Sequence, residues 1–266
     1  MRFSDFEYDG IQLSNLGYMI CHFDSVGEET KKNGSAIKFN TISTLNGQHN
    51  PALSYQYDDT LSDTIQICKN PCLGLHNDIE ITNSELRELT QWLNRKEYHK
   101  LRFLEDKSFD VYVMATFNIS KIELSGVLCG LELTPIVESP FSYQEDITYK
   151  INADTNNYFK RINDISEDEG YIYPKMTIKI KSSGDLNIHN SIENRDTLIK
   201  NCQEGEIITF EYPVISSSIS SHEIQNDFNW IFFRIANTYT KKHNDITISI
   251  PCEIVMTYAP IAKITM

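Results

Sequence analysis

Apolar and polar residues alternate along most of this chain. Apolar side chains occupy every second position from Val111 to Ile119, and the same period recurs at 176–180 and 246–250. Because successive side chains of a strand point to opposite faces, this period predicts strands with one buried face and one mixed face. Turn-forming pairs such as Ser183-Gly184 separate the runs. The pattern favours antiparallel sheets arranged as barrels or sandwiches over a parallel sheet with helices.

A single segment has the period of a helix. Thr82 and Glu85 have the spacing of a capping box, in which each side chain satisfies a backbone donor of the other residue. Leu86, Leu89 and Leu93 then recur at helical spacing with polar residues opposite them. The sequence therefore predicts one amphipathic helix at 83–94.

The length of 266 residues exceeds that of one ordinary hydrophobic core and predicts two domains. Polar and acidic residues dominate 152–157 and 163–170, where we place the boundary. The predicted organisation is an N-terminal domain at 1–145 that includes the helix, a linker at 146–170, and a C-terminal domain at 171–266.

Charge and hydropathy exclude several classes of protein. Twenty-four Lys and Arg against 37 Asp and Glu give a formal net charge of −13, which repels nucleic acid and anionic lipid. The N-terminal residues carry no apolar run of signal-peptide length, and no stretch has the length of a membrane span. We therefore expect a protein that is made in the cytoplasm and binds no membrane.

No arrangement of reactive residues points to an enzyme. The six cysteines and seven histidines are scattered, and only Cys68 and Cys72 are closely spaced. A zinc site needs a second pair of ligands at matching spacing. Carboxylate pairs such as Asp58-Asp59 fall in turn-like segments, where solvated surface is the favoured interpretation. We predict no catalytic residues, no metal site and no cofactor.

Aromatic residues leave one alternative open. The chain holds 14 Tyr and 13 Phe, and the segments 171–173 and 228–233 place rings on or near the same strand faces. Rings on a sheet can stack on sugars, although core packing explains 228–233 better. Tyr173 and Trp230 are the candidate carbohydrate-binding residues of this alternative.

The order of the N-terminal parts resembles the distal tail protein (Dit) family of long-tailed phages. An aromatic start is followed by strands, the helix that ends in Trp92-Leu93, and the strand Leu101-Arg-Phe103 with an acidic turn at Glu105-Asp106. The strand from Val111 comes next. The similarity is completed by the strand that leads to Pro135 and by the aromatic pair in Pro140-Phe-Ser-Tyr143.

The C-terminal half is similar to the same family. The proline-led strand Tyr173–Ile180, the strand Leu186–Asn190, the turn at Gly205-Glu206 and the final strand Ile254–Tyr258 follow the order of such domains. The approach to the final strands departs from that order, because Asn226–Trp230 and a long hydrophobic run stand there.

The resemblance implies a mainly β protein with an N-terminal split β-barrel, one α-helix, and a C-terminal galectin-like β-sandwich. It implies a hexameric ring that connects the tail tube to the baseplate or tail tip. The implied partners are further copies of the chain, the tail tube protein, a tail-associated hub or lysin, and receptor-binding proteins. DNA would pass through the ring without being bound specifically, and the ring would be assembled in the host cytoplasm and remain in the virion.

A carbohydrate-binding adhesin module of the host-recognition apparatus is the alternative from another class, and binding through Tyr173 or Trp230 would distinguish it from a bare scaffold. A glycan-cleaving enzyme is the third and least favoured class. Such an enzyme would lose turnover when one carboxylate is replaced.

Overall fold

The computed structural model of the protein describes residues 5–23, 37–42, 52–57, 64–73, 79–104 and 110–263. The described chain is mainly β-strand, as predicted. It divides into two units, of which the first comprises Met1–Tyr143 with Ala262–Met266 and the second comprises Gln144–Ile261.

The first unit is built on a nine-stranded sheet and a separate two-stranded hairpin. The sheet order is β2–β1–β7–β8–β9–β6–β3, with β10 pairing β8 and β22, and the hairpin is formed by β4 and β5. The strands are β1 (Asp5–Tyr8), β2 (Ile11–Gln12), β3 (Tyr18–Cys21), β4 (Ile37–Thr41), β5 (Ala52–Tyr57), β6 (Ile65–Lys69), β7 (His99–Leu104), β8 (Val111–Leu124), β9 (Val127–Val137), β10 (Ser142–Gln144) and β22 (Ile261–Ala262). Short 3₁₀ helices lie at Leu13–Leu16 and Pro71–Leu73.

Helix α1 (Asn83–Leu93) begins and ends within one residue of the prediction. Its capping box is complete, because Glu85 N–H donates to Thr82 Oγ1 at 3.3 Å and Thr82 N–H donates to Glu85 Oε2 at 2.7 Å. The helix buries Leu89, Trp92 and Leu93. The predicted apolar stripe is thus the face that packs on the sheet.

Aromatic rings fill the core between α1 and the sheet. Phe6 stacks on Trp92 with ring centroids 6.0 Å apart, and Tyr8 meets Phe117 edge to face at 5.1 Å. Trp92 also donates its indole N–H to the carbonyl of Tyr8. The core therefore joins the first strand, the helix and the long strand β8.

The second unit is a sandwich of two sheets. One sheet has the order β11–β21–β14–β17–β18, the other has β12–β20–β15–β16, and β13 pairs with β19. Helix α2 (Ile224–Asp227) is a short addition that the sequence did not predict. The strands are β11 (Ile147–Ala153), β12 (Tyr158–Asn163), β13 (Gly170–Ile172), β14 (Lys175–Ile180), β15 (Gly184–Asn190), β16 (Arg195–Cys202), β17 (Ile207–Glu211), β18 (Val214–Ser217), β19 (Ile235–Asn237), β20 (His243–Ile248) and β21 (Cys252–Tyr258).

The alternation of apolar and polar residues predicts the buried face of strand β14 correctly. Met176, Ile178 and Ile180 of β14 are buried, while the lysines and the threonine between them are exposed. Ile254 and Met256 of β21 pair in register with Ile178 and Met176, so the same face continues across the sheet.

The predicted linker at 146–170 is wrong, because β11 and β12 lie within it. Ile151, Ala153 and Ile162 point into the sandwich core and are buried. Most of the polar residues that suggested a linker lie in the turn at 154–157 and in the loop at 164–169, and of these Asp164 and Ser166 are buried. Both strands pair along their whole length with β21 and β20, so the second unit begins near Gln144 rather than at 171.

The rings of 228–233 lie in an irregular segment rather than a strand. Phe228 forms one isolated bridge with Ile199, and Trp230 has a left-handed backbone with φ of 58°. A β-strand requires extended backbone angles, so the chain turns at Trp230. The core-packing interpretation holds for Phe228, Phe232 and Phe233, which are buried.

Candidate assembly surface

The β4–β5 hairpin carries its apolar side chains on one face. Ile37 lies opposite Tyr57 and Phe39 opposite Tyr55 in the antiparallel register. The intervening pairs are polar, and Asn40 Nδ2 donates to Ser54 Oγ at 3.0 Å. Because side chains alternate between faces, the hairpin is amphipathic, with an apolar face and a polar face. We call the apolar face, formed by Ile37, Phe39, Leu53, Tyr55 and Tyr57, the hairpin face.

The hairpin face stands in solvent. The exposed fraction is 61% for Phe39, 68% for Leu53, 62% for Tyr55 and 46% for Ile37. These values are high for large apolar side chains that share one side of a sheet. A contiguous exposed patch of this kind is typical of a surface that contacts another protein.

Aromatic contacts hold the base of the hairpin. Tyr57 meets Phe141 edge to face with ring centroids 4.8 Å apart, and Tyr55 meets Tyr57 at 5.6 Å. A two-stranded hairpin on its own is marginally stable in water. A second apolar surface laid on the hairpin face would therefore both cover the exposed rings and stabilise the hairpin.

The sequence did not single out the hairpin face. The alternation of Ile37 and Phe39 in β4, and of Leu53 and Tyr55 in β5, was the available signal. That alternation predicts an apolar face without telling whether the face is buried within the chain.

Tyr173 lies in a group of mutually stacked rings. Its ring is parallel to that of Tyr212 with centroids 4.0 Å apart, and it meets Tyr171 edge to face at 5.5 Å. The guanidinium of Arg234 lies 3.8 Å from the ring centre of Tyr171, and hydrogen bonding to Glu193 raises the pKa of Arg234. Part of the ring surface of Tyr173 is therefore covered by other residues of the chain.

Trp230 is 57% exposed and comes two residues after Phe228, which bridges to Ile199 of β16. Its indole N–H donates to the carbonyl of Gln225 at 3.2 Å, and its ring is tilted against Phe228. The neighbouring Asn229 lies beside strand β16, because its backbone N–H donates to the carbonyl of Leu198.

The structure does not bring Tyr173 and Trp230 into contact. Ring contacts lead from Trp230 through Phe228 and Phe232 to Tyr212 and then to Tyr173. The two residues thus border one aromatic cluster but do not touch each other. Their role in carbohydrate binding stays a prediction.

Three of the six thiols are protected by burial, whereas Cys72 is exposed. All six cysteines are free, and Cys129, Cys202 and Cys252 are buried. Burial raises the pKa of Cys202 and of Cys252 to about 12, so both thiols stay protonated at neutral pH. Among the described residues there is no group of three or more His, Cys, Asp or Glu side chains placed to hold a metal ion. Within the same part of the chain, no helix has the length and apolar character that crossing a bilayer requires.

Comparison with known proteins identifies both halves of the chain. A family model described as a phage tail protein N-terminal domain matches residues 1–138, and one described as a phage tail C-terminal domain matches 141–258. No curated protein matches the chain.

A solved structure has the same fold along almost the whole chain. The crystal structure of the Dit protein (gp 19.1) of phage SPP1 aligns with a TM-score of 0.61 and 12% sequence identity, covering 97% of this chain and 99% of that one. That protein is described as a paradigm of the hub adsorption apparatus in phages that infect Gram-positive bacteria. The match confirms the predicted fold class, a split barrel with a helix followed by a galectin-like sandwich. The chain therefore belongs to the phage tail protein family that these N-terminal and C-terminal domains define, and its fold is that of a distal tail protein.

Proposed function

We propose that this protein is the structural hub of a phage tail, in which a hexameric ring connects the tail tube to the baseplate or tail tip. The first unit forms the ring, and the second unit supplies the surface for other tail proteins. The role is mechanical and involves no catalysis. The partners are further copies of the chain, the tail tube protein, a tail-associated hub or lysin, and receptor-binding proteins.

The hairpin face is the observation that carries this proposal. It presents large apolar side chains to solvent on an amphipathic ribbon. In a ring each subunit has two neighbours, so an apolar face on one subunit is covered by the next one around the ring. Burial of Phe39, Leu53 and Tyr55 against a neighbour supplies a hydrophobic driving force for ring closure.

The net charge supports passage of DNA through the ring. A charge of −13 per chain makes a closed ring of copies strongly acidic. Such a ring repels the phosphate backbone, so DNA passes without being held. The ring would be assembled in the host cytoplasm and would remain in the virion.

Native mass spectrometry and electron microscopy of the purified chain test the ring. We expect hexamers that appear as closed rings and that bind purified tail tube protein. The double substitution Phe39→Ser with Tyr55→Ser removes two large side chains from the hairpin face and should shift the population to monomer. Gln56→Ser, on the polar face of the same strand, is the matched control and should leave the ring intact.

Circular dichroism of each variant separates loss of assembly from loss of folding. A wild-type chain that stays monomeric at high concentration and ignores the tail tube protein would rule out the ring. Rings that persist in the doubly substituted chain would show that the hairpin face is not the contact.

A further inference from the structure

The outer face of the four-stranded sheet in the second unit carries a straight row of side chains. Phe159 of β12 lies opposite Thr247 of β20, Thr247 lies opposite His189 of β15, and His189 lies opposite Asp196 of β16. The residues that flank them along each strand point to the sandwich core and are mostly buried. The four side chains therefore share the solvent side of the sheet, one on each strand.

An exposed aromatic ring stands at one end of this row. Phe159 is 56% exposed, and among the ring contacts of the described chain none involves it. The rings around Tyr173 differ in this respect, since Tyr173 stacks on Tyr212 at 4.0 Å. The ring of Phe159 is thus available to a ligand, whereas the ring of Tyr173 is partly covered.

Hydrogen-bonding groups occupy the other end of the row. His189 Nδ1 lies 3.0 Å from Asp196 Oδ1, and Asn187 Nδ2 donates to the same oxygen at 2.9 Å. Hydrogen bonding from Asn187, together with His189, holds the pKa of the Asp196 carboxyl below its usual value, so the carboxylate stays charged. This contact fixes the imidazole through Nδ1 and leaves Nε2 of His189 for another partner.

The charged groups nearest the row are held in pairs, whereas Lys200 of β16 is an exposed cation on the same face. Arg161 lies opposite Asp245 and forms two hydrogen bonds with its carboxylate, at 2.6 and 2.8 Å. Asp196 is similarly engaged by His189 and Asn187. A phosphate-binding site needs a cluster of unpaired cations, and one lysine does not form such a cluster, so the arrangement favours a neutral ligand rich in hydroxyl groups.

The spacing of the row suits a sugar. Phe159 and His189 are separated by two strand spacings, about 10 Å. A pyranose ring presents C–H groups on its faces, which stack on an aromatic ring, and hydroxyls at its edge, which hydrogen-bond to polar side chains. A sugar stacked on Phe159 would direct its hydroxyls toward Thr247 and His189.

We propose that the outer face of the β12–β20–β15–β16 sheet binds a neutral pyranose glycan, with Phe159 as the stacking platform and with Thr247 and His189 as hydrogen-bonding groups. Glycan binding is a function beyond the hub role and does not depend on ring formation. It places the site on the sheet face rather than on the cluster around Tyr173 and Trp230.

An array of neutral hexose and N-acetylhexosamine oligosaccharides, probed with the full-length chain, tests the proposal. We expect binding to at least one glycan class, followed by a measurable dissociation constant in titration calorimetry. Phe159→Ala and His189→Ala should each weaken that binding by about tenfold or more, because each removes one type of contact. Tyr239→Ala is the matched control, since Tyr239 is 84% exposed and outside the row.

Three results would overturn the proposal. The first is a wild-type chain that binds no glycan of the array. The second is binding that survives both Phe159→Ala and His189→Ala. The third is binding lost in Trp230→Ala or Tyr173→Ala but kept in Phe159→Ala, which would move the site to the aromatic cluster. Native mass spectrometry of the same variants distinguishes glycan binding from ring formation, because Phe159→Ala should assemble like the wild type.

Discussion

Trp92 of helix α1 donates its indole N–H to the backbone carbonyl of Tyr8, 3.2 Å away, inside the core of the first unit. Trp92 is only 7% exposed. One hydrogen bond therefore ties the helix to the first strand where water cannot replace the lost partner.

Trp92→Phe should lower the free energy of unfolding by about 1–3 kcal/mol, because the ring still packs while the carbonyl of Tyr8 loses its donor. Trp230→Phe is a matched control, since its indole N–H also donates to a carbonyl at 3.2 Å but the side chain is 57% exposed. Urea denaturation of both variants measures the difference. Equal losses of stability in the two variants would contradict the idea that burial makes the Trp92 hydrogen bond more important.

Thr82→Ala should destabilise the first unit by about 1 kcal/mol. The substitution removes the hydroxyl that accepts from Glu85 N–H and leaves one end of the capping box unpaired. Thr90→Ala removes a hydroxyl that bonds to the carbonyl of Leu86 within the same helix and should cost less. Thermal unfolding followed by circular dichroism compares the two, and a Thr82 variant as stable as the wild type would argue against the capping contribution.

Gly130→Ala should destabilise the first unit by about 1–3 kcal/mol through overpacking. A Cβ at this position would stand 2.5 Å from the ring of Phe23 and 2.8 Å from the carbonyl oxygen of Ile67. Adding Phe23→Ala should recover part of the loss, because only the clash with the carbonyl then remains. Chemical denaturation of the single and double variants gives the coupling between the two sites, and strictly additive losses would refute the close approach.

Glu206→Gln should destabilise the second unit by about 2 kcal/mol at neutral pH. Glu206 is fully buried, His222 Nδ1 lies 2.6 Å from its carboxylate, and the Gln203 N–H donates to it at 2.9 Å. Burial alone would raise the pKa of Glu206, but hydrogen bonds from Ser217, from the Gln203 amide and from His222 bring it below the ordinary 4.5.

A carboxyl whose folded-state pKa is depressed stabilises the fold above its unfolded-state pKa, and this contribution is lost as the pH falls through the folded-state value. The gap between wild type and Glu206→Gln should therefore narrow as the pH falls below 4.5. Denaturation curves across that range measure the narrowing. Glu204→Gln, at an exposed position two residues away, should show no such trend.

Local signals were enough to predict some elements closely. The capping box from Thr82 to Glu85 and the leucine spacing specify α1, and both lie within a few residues of one another. The buried Met176, Ile178 and Ile180 follow from the same kind of short-range alternation. These elements needed no knowledge of the rest of the chain.

Other features depend on contacts that are distant in sequence. Residues 146–170 resemble a linker because the stretches at 152–157 and 163–170 are polar, and only pairing with β21 and β20 shows that β11 and β12 are strands of the sandwich. The turn at Trp230 is held in part by Asn229, whose side chain donates to the carbonyl of Asp196. The hairpin face and the row that begins at Phe159 are likewise matters of exposure and register, which no local pattern specifies.

The connection between the two units affects how the protein can evolve. The chain leaves the first unit after Tyr143 and returns to it at Ala262, and the strands on either side of this excursion, β10 and β22, pair with each other. The whole sandwich is thus an insertion whose two ends meet at one place in the first unit. We therefore expect that recombination at that place can exchange one sandwich for another without redesign of the first unit.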